Sequence, residues 1–265
     1  EVGELLQGKG ATPVMLAILP KEGEAGQPPK PRVVEVTPIP DEEPLRYRDW
    51  VEGRRRAVAE RSGGKLGYIH IPDMGGPGLS AFVRGFYPQF DKAGLVIDDR
   101  NNGGGFVSQM ILERLKRRSI GRDVGREGLP ERYPSRSPDG PMAVIINENA
   151  GSDGDIFPWA FRQWGLGPVI GMRTWGGVVG IRDDKPFQDG GHATQPEYAF
   201  WEPKLGYFLE NRGVQPDIEV ELTPADRAAG RDPQLERAVD EVLARIPKDA
   251  APIPPKPGKG NTPVP

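Results

Sequence analysis

The 265-residue sequence contains no cysteine and only two histidines, His70 and His192. Without cysteine the chain can form no disulfide, thiol nucleophile or cysteine–zinc site. Two histidines leave little for a transition-metal site. No apolar run approaches the length that spans a membrane. The net charge of −3 and the pI of about 5.6 indicate neither nucleic acid nor an anionic membrane as a partner.

Glycine and proline are abundant, with 36 and 30 residues, and they are clustered. A cluster at 20–31 predicts a flexible excursion. A second cluster, at 247–265, is too poor in apolar residues to build a core and predicts a disordered tail. A compact unit is expected between them, and the chain is long enough to bury a real core in one large or two smaller domains.

Apolar strand-like runs alternate with helical patterns inside that unit. The runs at 66–71, 94–98, 142–147 and 169–171 predict strands, and the patterns at 50–62, 79–89, 107–118 and 156–164 predict helices. This alternation predicts an α/β fold with a parallel or mixed sheet covered by helices. Ligands in such folds bind at the carboxyl ends of the strands.

Ser152 stands on a glycine-flanked turn between a predicted strand and a predicted helix, with Asp153 and Asp155 near the helix start. A serine lifted off the sheet there is exposed as a nucleophile, and the next backbone N–H groups point towards the group that it attacks. The alternative is that Ser152 merely caps the helix, as serines often do. The turn by itself leaves both interpretations open.

A second glycine-rich turn follows the predicted strand at 94–98 and contains Asn101, Asn102 and three glycines, Gly103 to Gly105. Consecutive glycines allow a close approach to a ligand. The sequence has neither a Walker lysine nor a spaced G-x-G-x-x-G here, which argues against a nucleotide. The loop is either a tight structural turn or the source of an N–H donor for an oxyanion, with the nucleophile on the other turn.

The segments GYIHIPDM (67–74), DDRNNGGG (98–105), NENAGSDGD (147–155) and TWGG (174–177) occur in the order seen in tricorn-type proteases. These proteases belong with the C-terminal processing peptidases, a serine peptidase group. The resemblance continues through 195–201 and 210–217 and covers nearly everything from about 45 to 246. It implies an α/β fold of the ClpP/crotonase-like type, a mixed sheet with covering helices.

The segments 4–8, 14–18 and 32–36 resemble the last helix and strands of the PDZ-like domain that precedes this core in the family. The resemblance therefore predicts a partial PDZ-like segment at 1–40, a serine peptidase core at 41–246 and the tail at 247–265. We expect the sequence to start inside a domain.

Carried over residue by residue, the resemblance makes Ser152 the nucleophile and assigns the oxyanion hole to the N–H groups of Gly105 and Asp153. Glu210 matches a glutamate that orients the catalytic apparatus. Asp123 matches an acidic residue that reaches the substrate pocket from a neighbouring subunit, where it would favour basic side chains by charge pairing. Without the resemblance, Glu210 would be interpreted as a solvated carboxylate and Asp123 as part of a charged loop.

A general base is the missing component, since serine needs a partner to take its proton. The C-terminal processing peptidases have a lysine where this chain has Gly177, and tricorn-type proteases use a histidine and an accompanying serine from upstream of the PDZ-like domain. His70 on a strand, His192 in a glycine loop and Lys185 in a polar turn are weak substitutes. We therefore expect the base to come from outside this chain, and the isolated chain to be inactive or nearly so.

The resemblance implies an endopeptidase that hydrolyses oligopeptides through an acyl-enzyme, without a metal or organic cofactor. It further implies action in the cytoplasm as a homo-oligomer, a hexamer in the family, with upstream domains supplying the histidine and serine. Two alternatives stay open, because a fold does not fix a function. One is a non-catalytic peptide- or ligand-binding module, and the other is an acyl-CoA enzyme of the crotonase type.

Overall fold

The computed structural model describes residues 2–21, 30–125, 127, 129–182 and 185–248. It divides into two compact units, Glu1–Glu52 and Gly53–Pro265. Most of the predicted excursion at 20–31, and all but the first two residues of the predicted tail at 247–265, lie outside the described residues. The domain limits at 40 and 246 and the PDZ-like identity of the first segment stay predictions.

The first unit contains helix α1 (Val2–Leu6), strands β1 (Val14–Ile18) and β2 (Arg32–Val36) and the beginning of helix α2 (Glu43–Arg61). The two strands pair antiparallel. Their side chains alternate between faces, because successive residues of a strand point to opposite sides. One face is half-buried and consists of Val14, Leu16, Val34 and Val36.

A parallel sheet of five strands forms the centre of the second unit, in the spatial order β11–β8–β7–β4–β3. The strands are β3 (Leu66–His70), β4 (Gly94–Asp98), β7 (Met142–Ile146), β8 (Val169–Gly171) and β11 (Ile218–Glu219). Every residue of β3, β4, β7 and β8 is buried, as expected for a parallel sheet covered on both faces. The predicted α/β fold is confirmed.

Antiparallel pairing occurs in small ribbons outside this sheet. One ribbon of the second unit joins β5 (Gly121–Asp123) to β6 (Glu131–Tyr133), and another joins β9 (Gly180–Arg182) to β10 (Gln195–Tyr198). The chain thus combines both pairing types, although its central sheet is parallel.

The helices that pack on the sheet are amphipathic and supply most of the aromatic core. They are α3 (Gly76–Phe86), α4 (Ser108–Lys116), α5 (Asp153–Gln163) and α7 (Pro233–Ala244), and a short helix, α6 (Pro224–Ala228), precedes α7. Phe82 and Phe86 stack in α3, and Phe157 and Phe161 contact each other in α5. Each fully buried side chain of this size contributes about 1.5–3 kcal/mol. Among the described residues, no helix is both long and apolar enough to cross a membrane.

Arg100 fixes the end of β4 through a buried ion network. Its guanidinium donates to both carboxylate oxygens of Asp98, at 2.9 and 2.6 Å, and to both of Asp232, at 3.0 and 3.1 Å. Asp232 is also the N-cap of α7, and it accepts from the backbone N–H of Leu235. The network therefore joins the carboxyl end of the sheet to the start of the last helix.

Since β4, β7 and β8 are parallel neighbours, the loops that follow them emerge at the same edge of the sheet. The loop after β4 carries the three glycines, the loop after β7 carries Ser152, and Arg173 lies just beyond β8. The topology thus gathers both glycine-rich turns at one place.

Candidate active site

Ser152 is held in an unusual backbone conformation, with φ 56° and ψ −123°. Such positive φ values cost a residue with a side chain about 1–3 kcal/mol, and they cluster at functional sites. The Ser152 N–H donates to the Gly177 carbonyl at 2.8 Å, and its own carbonyl accepts from Asp155 at the start of α5. The Ser152 side chain makes no capping hydrogen bond. The Ser152 hydroxyl is therefore not used to cap the N-terminus of α5.

The glycine loop presses directly against this turn. Gly104 has φ +84°, and a Cβ placed on it would come within 2.5 Å of the Ser152 Cβ and 3.0 Å of the Asp153 nitrogen. Gly105 has φ +146°, and a Cβ there would meet the Met74 carbonyl oxygen at 2.1 Å. Only glycine fits at these two positions, and its small size brings the two turns into contact.

The backbone amides of the glycine loop are almost all used inside the protein. Four of them donate to named acceptors: Gly103 to the Pro72 carbonyl, Gly104 to Asn102 Oδ1, and Phe106 and Val107 to the Met74 carbonyl. Within the part of the chain that the structure describes, the Gly105 N–H has no acceptor. The Asp153 N–H likewise has none there, as is usual for the first residue of a helix. The two amides named from the sequence thus have no competing protein acceptor in that part of the chain.

Asn102 organises both turns. Its side-chain nitrogen donates to the Ile71 carbonyl at 3.0 Å and to Asp99 Oδ1 at 2.9 Å. Its backbone carbonyl accepts from the Gly151 N–H at 2.9 Å, and a Cβ on Gly154 would meet the same carbonyl at 2.7 Å. Fully buried, Asn102 therefore fixes the glycine loop to the residue that precedes Ser152.

Ser108 is a site residue that sequence reasoning missed. Its hydroxyl and backbone N–H donate to the two carboxylate oxygens of Asp153, at 2.5 and 3.1 Å. Burial raises the pKa of the Asp153 carboxyl, and the hydrogen bonds from Ser108 act in the opposite direction. The carboxylate lies at the N-terminus of α4, where the helix dipole favours negative charge. No local pattern links the two residues, which are 45 positions apart in the sequence.

Glu210 holds the segment that follows Gly177. Its Oε2 accepts from the backbone N–H groups of Val178 and Val179, at 2.8 and 2.9 Å. Gly177 in turn supplies the carbonyl that accepts the Ser152 N–H. Glu210 is therefore connected to Ser152 through the backbone of one short segment, and it lines the same cleft.

The cleft has a volume of about 650 Å³ and contains both turns and Glu210. Its wall includes four well-exposed apolar side chains: Phe106, Trp175, Ile181 and Tyr198. The Trp175 ring lies so close to Gly151 and Gly177 that a Cβ on either would come within 2.6 Å of it. Among the described residues, the charged side chains of the wall are Arg173 and Glu210. The cleft can therefore take an extended, partly apolar ligand beside Ser152.

The other candidates from the sequence do not line this cleft. His70 is buried in β3 with Nε2 3.1 Å from the Arg100 carbonyl, and burial lowers the pKa of its imidazole. His192 and Lys185 are exposed in the connection between β9 and β10. Asp123 is exposed on β5. The described part of the chain thus brings neither a histidine nor a lysine into the cleft.

Two further buried carboxyls lie close to these turns in the sequence. Asp155 Oδ1 accepts from the Gly176 N–H at 2.8 Å, and burial raises the pKa of its carboxyl. Asp99, just ahead of the glycine loop, is fully buried, and its Oδ2 has no hydrogen-bond partner among the described residues. Burial, reinforced by the charge of Asp98, raises the pKa of Asp99 well above its ordinary value. Asp99 is therefore the strongest candidate here for a carboxyl that stays protonated.

Comparisons with known proteins agree with this geometry. Residues 65–220 match the model of peptidase family S41. The chain is 46% identical over 253 residues to tricorn protease homolog 1 of Streptomyces coelicolor, covering 96% of this chain and 23% of the relative. It is also 46% identical over 253 residues to the tricorn protease of Thermoplasma volcanium, covering 96% of this chain and 24% of the relative. The predicted resemblance is confirmed.

Solved structures give the same result. The chain superposes on the crystal structure of the tricorn protease with a TM-score of 0.85 and 45% sequence identity, covering 92% of this chain and 23% of that chain. The chain thus spans about a quarter of the length of these relatives.

Proposed function

Because this chain belongs to peptidase family S41, we propose that it carries the catalytic core of a tricorn-type serine endopeptidase acting on oligopeptides. The observation that carries the proposal is the position of Ser152. Its hydroxyl makes no cap bond, and its backbone is strained and held against the glycine loop. A residue that served only as the N-cap of α5 would need none of these features.

In the proposed reaction, Ser152 Oγ attacks the carbonyl carbon of the scissile peptide bond while its proton passes to a general base. The carbonyl oxygen becomes an oxyanion and accepts hydrogen bonds from the N–H groups of Gly105 and Asp153. Removing one such donor typically costs about 10²–10³-fold in rate. The C–N bond then breaks, the base gives the proton to the leaving amine, and an ester to Ser152 remains. Water hydrolyses this acyl-enzyme with help from the same base.

Glu210 is proposed to act as a positioning residue. By accepting from Val178 and Val179 it fixes the segment whose Gly177 carbonyl accepts the Ser152 N–H. This arrangement supports a role in maintaining the strained conformation of Ser152.

The base is proposed to be a histidine, with an accompanying serine, from a region upstream of the PDZ-like segment. Asp123 is proposed to serve the cleft of a neighbouring subunit, which fits its exposure on β5 and its absence from the cleft wall of its own chain. We further propose a homo-oligomer, a hexamer as in the family, acting in the cytoplasm. The matches are to peptidases and do not support the alternative of a non-catalytic binding module.

Labelling with a fluorophosphonate probe tests the proposal, since the probe reacts with activated serines. We would compare this chain, its Ser152→Ala variant and a longer protein that includes the upstream region. Ser80→Ala, at an exposed serine of α3, is the matched control. The expected result is labelling of the longer protein that is lost with Ser152→Ala and kept with Ser80→Ala.

Two other labelling results would each contradict a different part of the proposal. Ser152-dependent labelling of the short chain at the same rate would contradict an external base while keeping the nucleophile. Failure of the longer protein to label would contradict the peptidase assignment itself.

A further inference from the structure

Among the residues that the structure describes, Arg173 is the one cationic side chain in the wall of the cleft. It lies two residues beyond β8, which pairs with β7, and β7 leads into the loop that carries Ser152. The two residues therefore arise from neighbouring strands at the same edge of the sheet. Arg173 is exposed, so a ligand in the cleft can reach it.

The guanidinium is anchored through one of its nitrogens. Nη1 donates to the carbonyl oxygens of Thr174 at 3.0 Å, Trp175 at 3.4 Å and Arg212 at 2.6 Å. An arginine fixed in this way has already lost much of its rotamer freedom. Binding to it therefore pays less of the usual entropic penalty for ordering a long side chain.

The opposite edge of the guanidinium, formed by Nε and Nη2, has no acceptor among the described residues. Two other arginines of the chain present this edge to a carboxylate in a bidentate pair. Arg61 uses Nε and Nη2 to reach both oxygens of Asp240, and Arg100 uses them to reach both oxygens of Asp98. A planar, two-pronged donor of this kind matches the geometry of a carboxylate.

Glu210, the other charged residue of the wall, does not fill this edge. Its Oε2 accepts from the amides of Val178 and Val179, and no ion pair joins it to Arg173 within the described part of the chain. The cleft thus contains an anchored cation whose carboxylate-binding edge faces no protein partner there.

We propose that Arg173 binds a carboxylate of the peptide that occupies the cleft. The carboxylate is either the C-terminal carboxylate of a short peptide or the side chain of an aspartate or glutamate near the scissile bond. The proposal rests on the proposed function, because it takes the ligand to be the peptide presented to Ser152. It adds a preference for peptides that carry a negative charge within reach of Arg173.

Peptide binding measured by fluorescence anisotropy tests this proposal without requiring turnover. The probes are Ala-Ala-Phe-Ala-Ala as the free acid, the same peptide as the C-terminal amide, and the amide of Ala-Ala-Phe-Glu-Ala, each carrying the uncharged nitrobenzofurazan dye on its N-terminal nitrogen. The protein is this chain with Ser152→Ala, alone and combined with Arg173→Gln, Arg173→Lys or the control Arg84→Gln at an exposed position of α3.

We expect at least one carboxylate peptide to bind about tenfold more tightly than the neutral amide, because charge-assisted bidentate hydrogen bonds are the strong ones. Arg173→Gln should abolish that difference, Arg173→Lys should keep part of it, and Arg84→Gln should leave it intact. Preference for the free acid identifies the C-terminal carboxylate, and preference for the glutamate peptide identifies an acidic side chain. Higher salt should reduce the difference.

The proposal is overturned if the three peptides bind alike, if none binds, or if Arg173→Gln weakens all three equally. The last result would mean that Arg173 only clamps the carbonyls of Thr174, Trp175 and Arg212. Thermal unfolding checks that the variants are folded, and Arg173→Lys serves as the test variant if Arg173→Gln is not. Fluorophosphonate labelling of the longer protein tests Ser152 separately, so that failure of either proposal is recognised by itself.

Discussion

The Asp153 carboxylate accepts hydrogen bonds from both the hydroxyl and the backbone N–H of Ser108, at 2.5 and 3.1 Å. Ser108 begins α4, directly after the glycine loop, and Asp153 begins α5, directly after Ser152. The contact therefore joins the two helices whose preceding loops hold Gly105 and Ser152. Together with the Asn102 carbonyl, which accepts from the Gly151 N–H, this pair of residues helps to set the distance between the two proposed oxyanion donors.

Replacing Ser108 by alanine should loosen that connection. We expect Ser108→Ala to lower the free energy of unfolding by about 1–3 kcal/mol, as for loss of a hydrogen bond to a buried charged group. In the longer protein, Ser152 should be labelled by a fluorophosphonate about tenfold more slowly, which is a smaller effect than the full loss of one oxyanion donor. Ser108→Thr keeps the hydroxyl and should retain most of both properties. Wild-type stability and labelling in Ser108→Ala would show that the backbone N–H alone suffices.

The strain at Ser152 can be measured by comparing two substitutions that both remove the hydroxyl. Alanine keeps a Cβ at φ 56°, whereas glycine adopts positive φ without steric cost. We expect Ser152→Gly to be more stable than Ser152→Ala by about 1 kcal/mol, after allowing for the greater entropy of glycine in the unfolded chain. Urea unfolding of both variants gives the difference. If alanine were the more stable of the two, the turn would not be strained.

Substitutions at Gly104 and Gly103 form a matched test of how closely the glycine loop fits against the turn at Ser152. A Cβ on Gly104 would lie 2.5 Å from the Ser152 Cβ, while a Cβ on Gly103 would have no heavy atom within 4 Å. Gly104→Ala should therefore lower the free energy of unfolding by about 2 kcal/mol or more and prevent labelling of Ser152. Gly103→Ala should change both little. Equal effects of the two substitutions would contradict the close contact.

Asp99 should make stability depend on pH with a definite sign. Its native pKa is raised, so the native state holds this proton at pH values where the unfolded state has released it. Its contribution to stability is therefore present below the ordinary carboxyl pKa of about 4 and is lost as pH rises towards the native value. Asp99→Asn removes this titration, and it should gain stability relative to the wild type as pH rises.

Unfolding curves of the wild type and Asp99→Asn at several pH values between 4 and 8 would measure this difference directly. Taking the difference between the two proteins cancels the titrating groups that do not interact with Asp99, such as Asp240, whose pKa is lowered by its hydrogen bond with Arg61. A difference that stays constant with pH would show that the native pKa of Asp99 is not raised.

The sequence was most informative where a local pattern determines structure. The apolar runs gave the buried strands at close to their observed bounds, and the glycine-flanked serine gave the turn before α5. The predicted helix starts were several residues late for α2, α3 and α5. Pro44 and Pro77 fit the first turns of two of these helices, because the missing N–H has no partner there in any case.

Contacts between residues that lie far apart in the sequence could not be predicted from local patterns. Ser108 and Asp153 meet only because the sheet brings two loops together, and nothing in the local sequence of either residue indicates the other. Arg173 was not identified, since a single arginine after a strand has no distinguishing pattern. Glu210 and Asp123 were identified by resemblance alone. The structure places Glu210 in the cleft and leaves Asp123 on an exposed ribbon.

Trp175 gives the cleft an optical reporter of its own. Its indole ring packs against Gly151, which precedes Ser152, and against Gly177, whose carbonyl accepts the Ser152 N–H, yet 64% of the residue remains in contact with water. A peptide or acyl group that enters the cleft replaces this water with less polar surface, which moves indole emission to shorter wavelength. Occupancy can then be followed by intrinsic fluorescence without any label. Trp175→Phe would remove the signal and leave the other four tryptophans as a constant background.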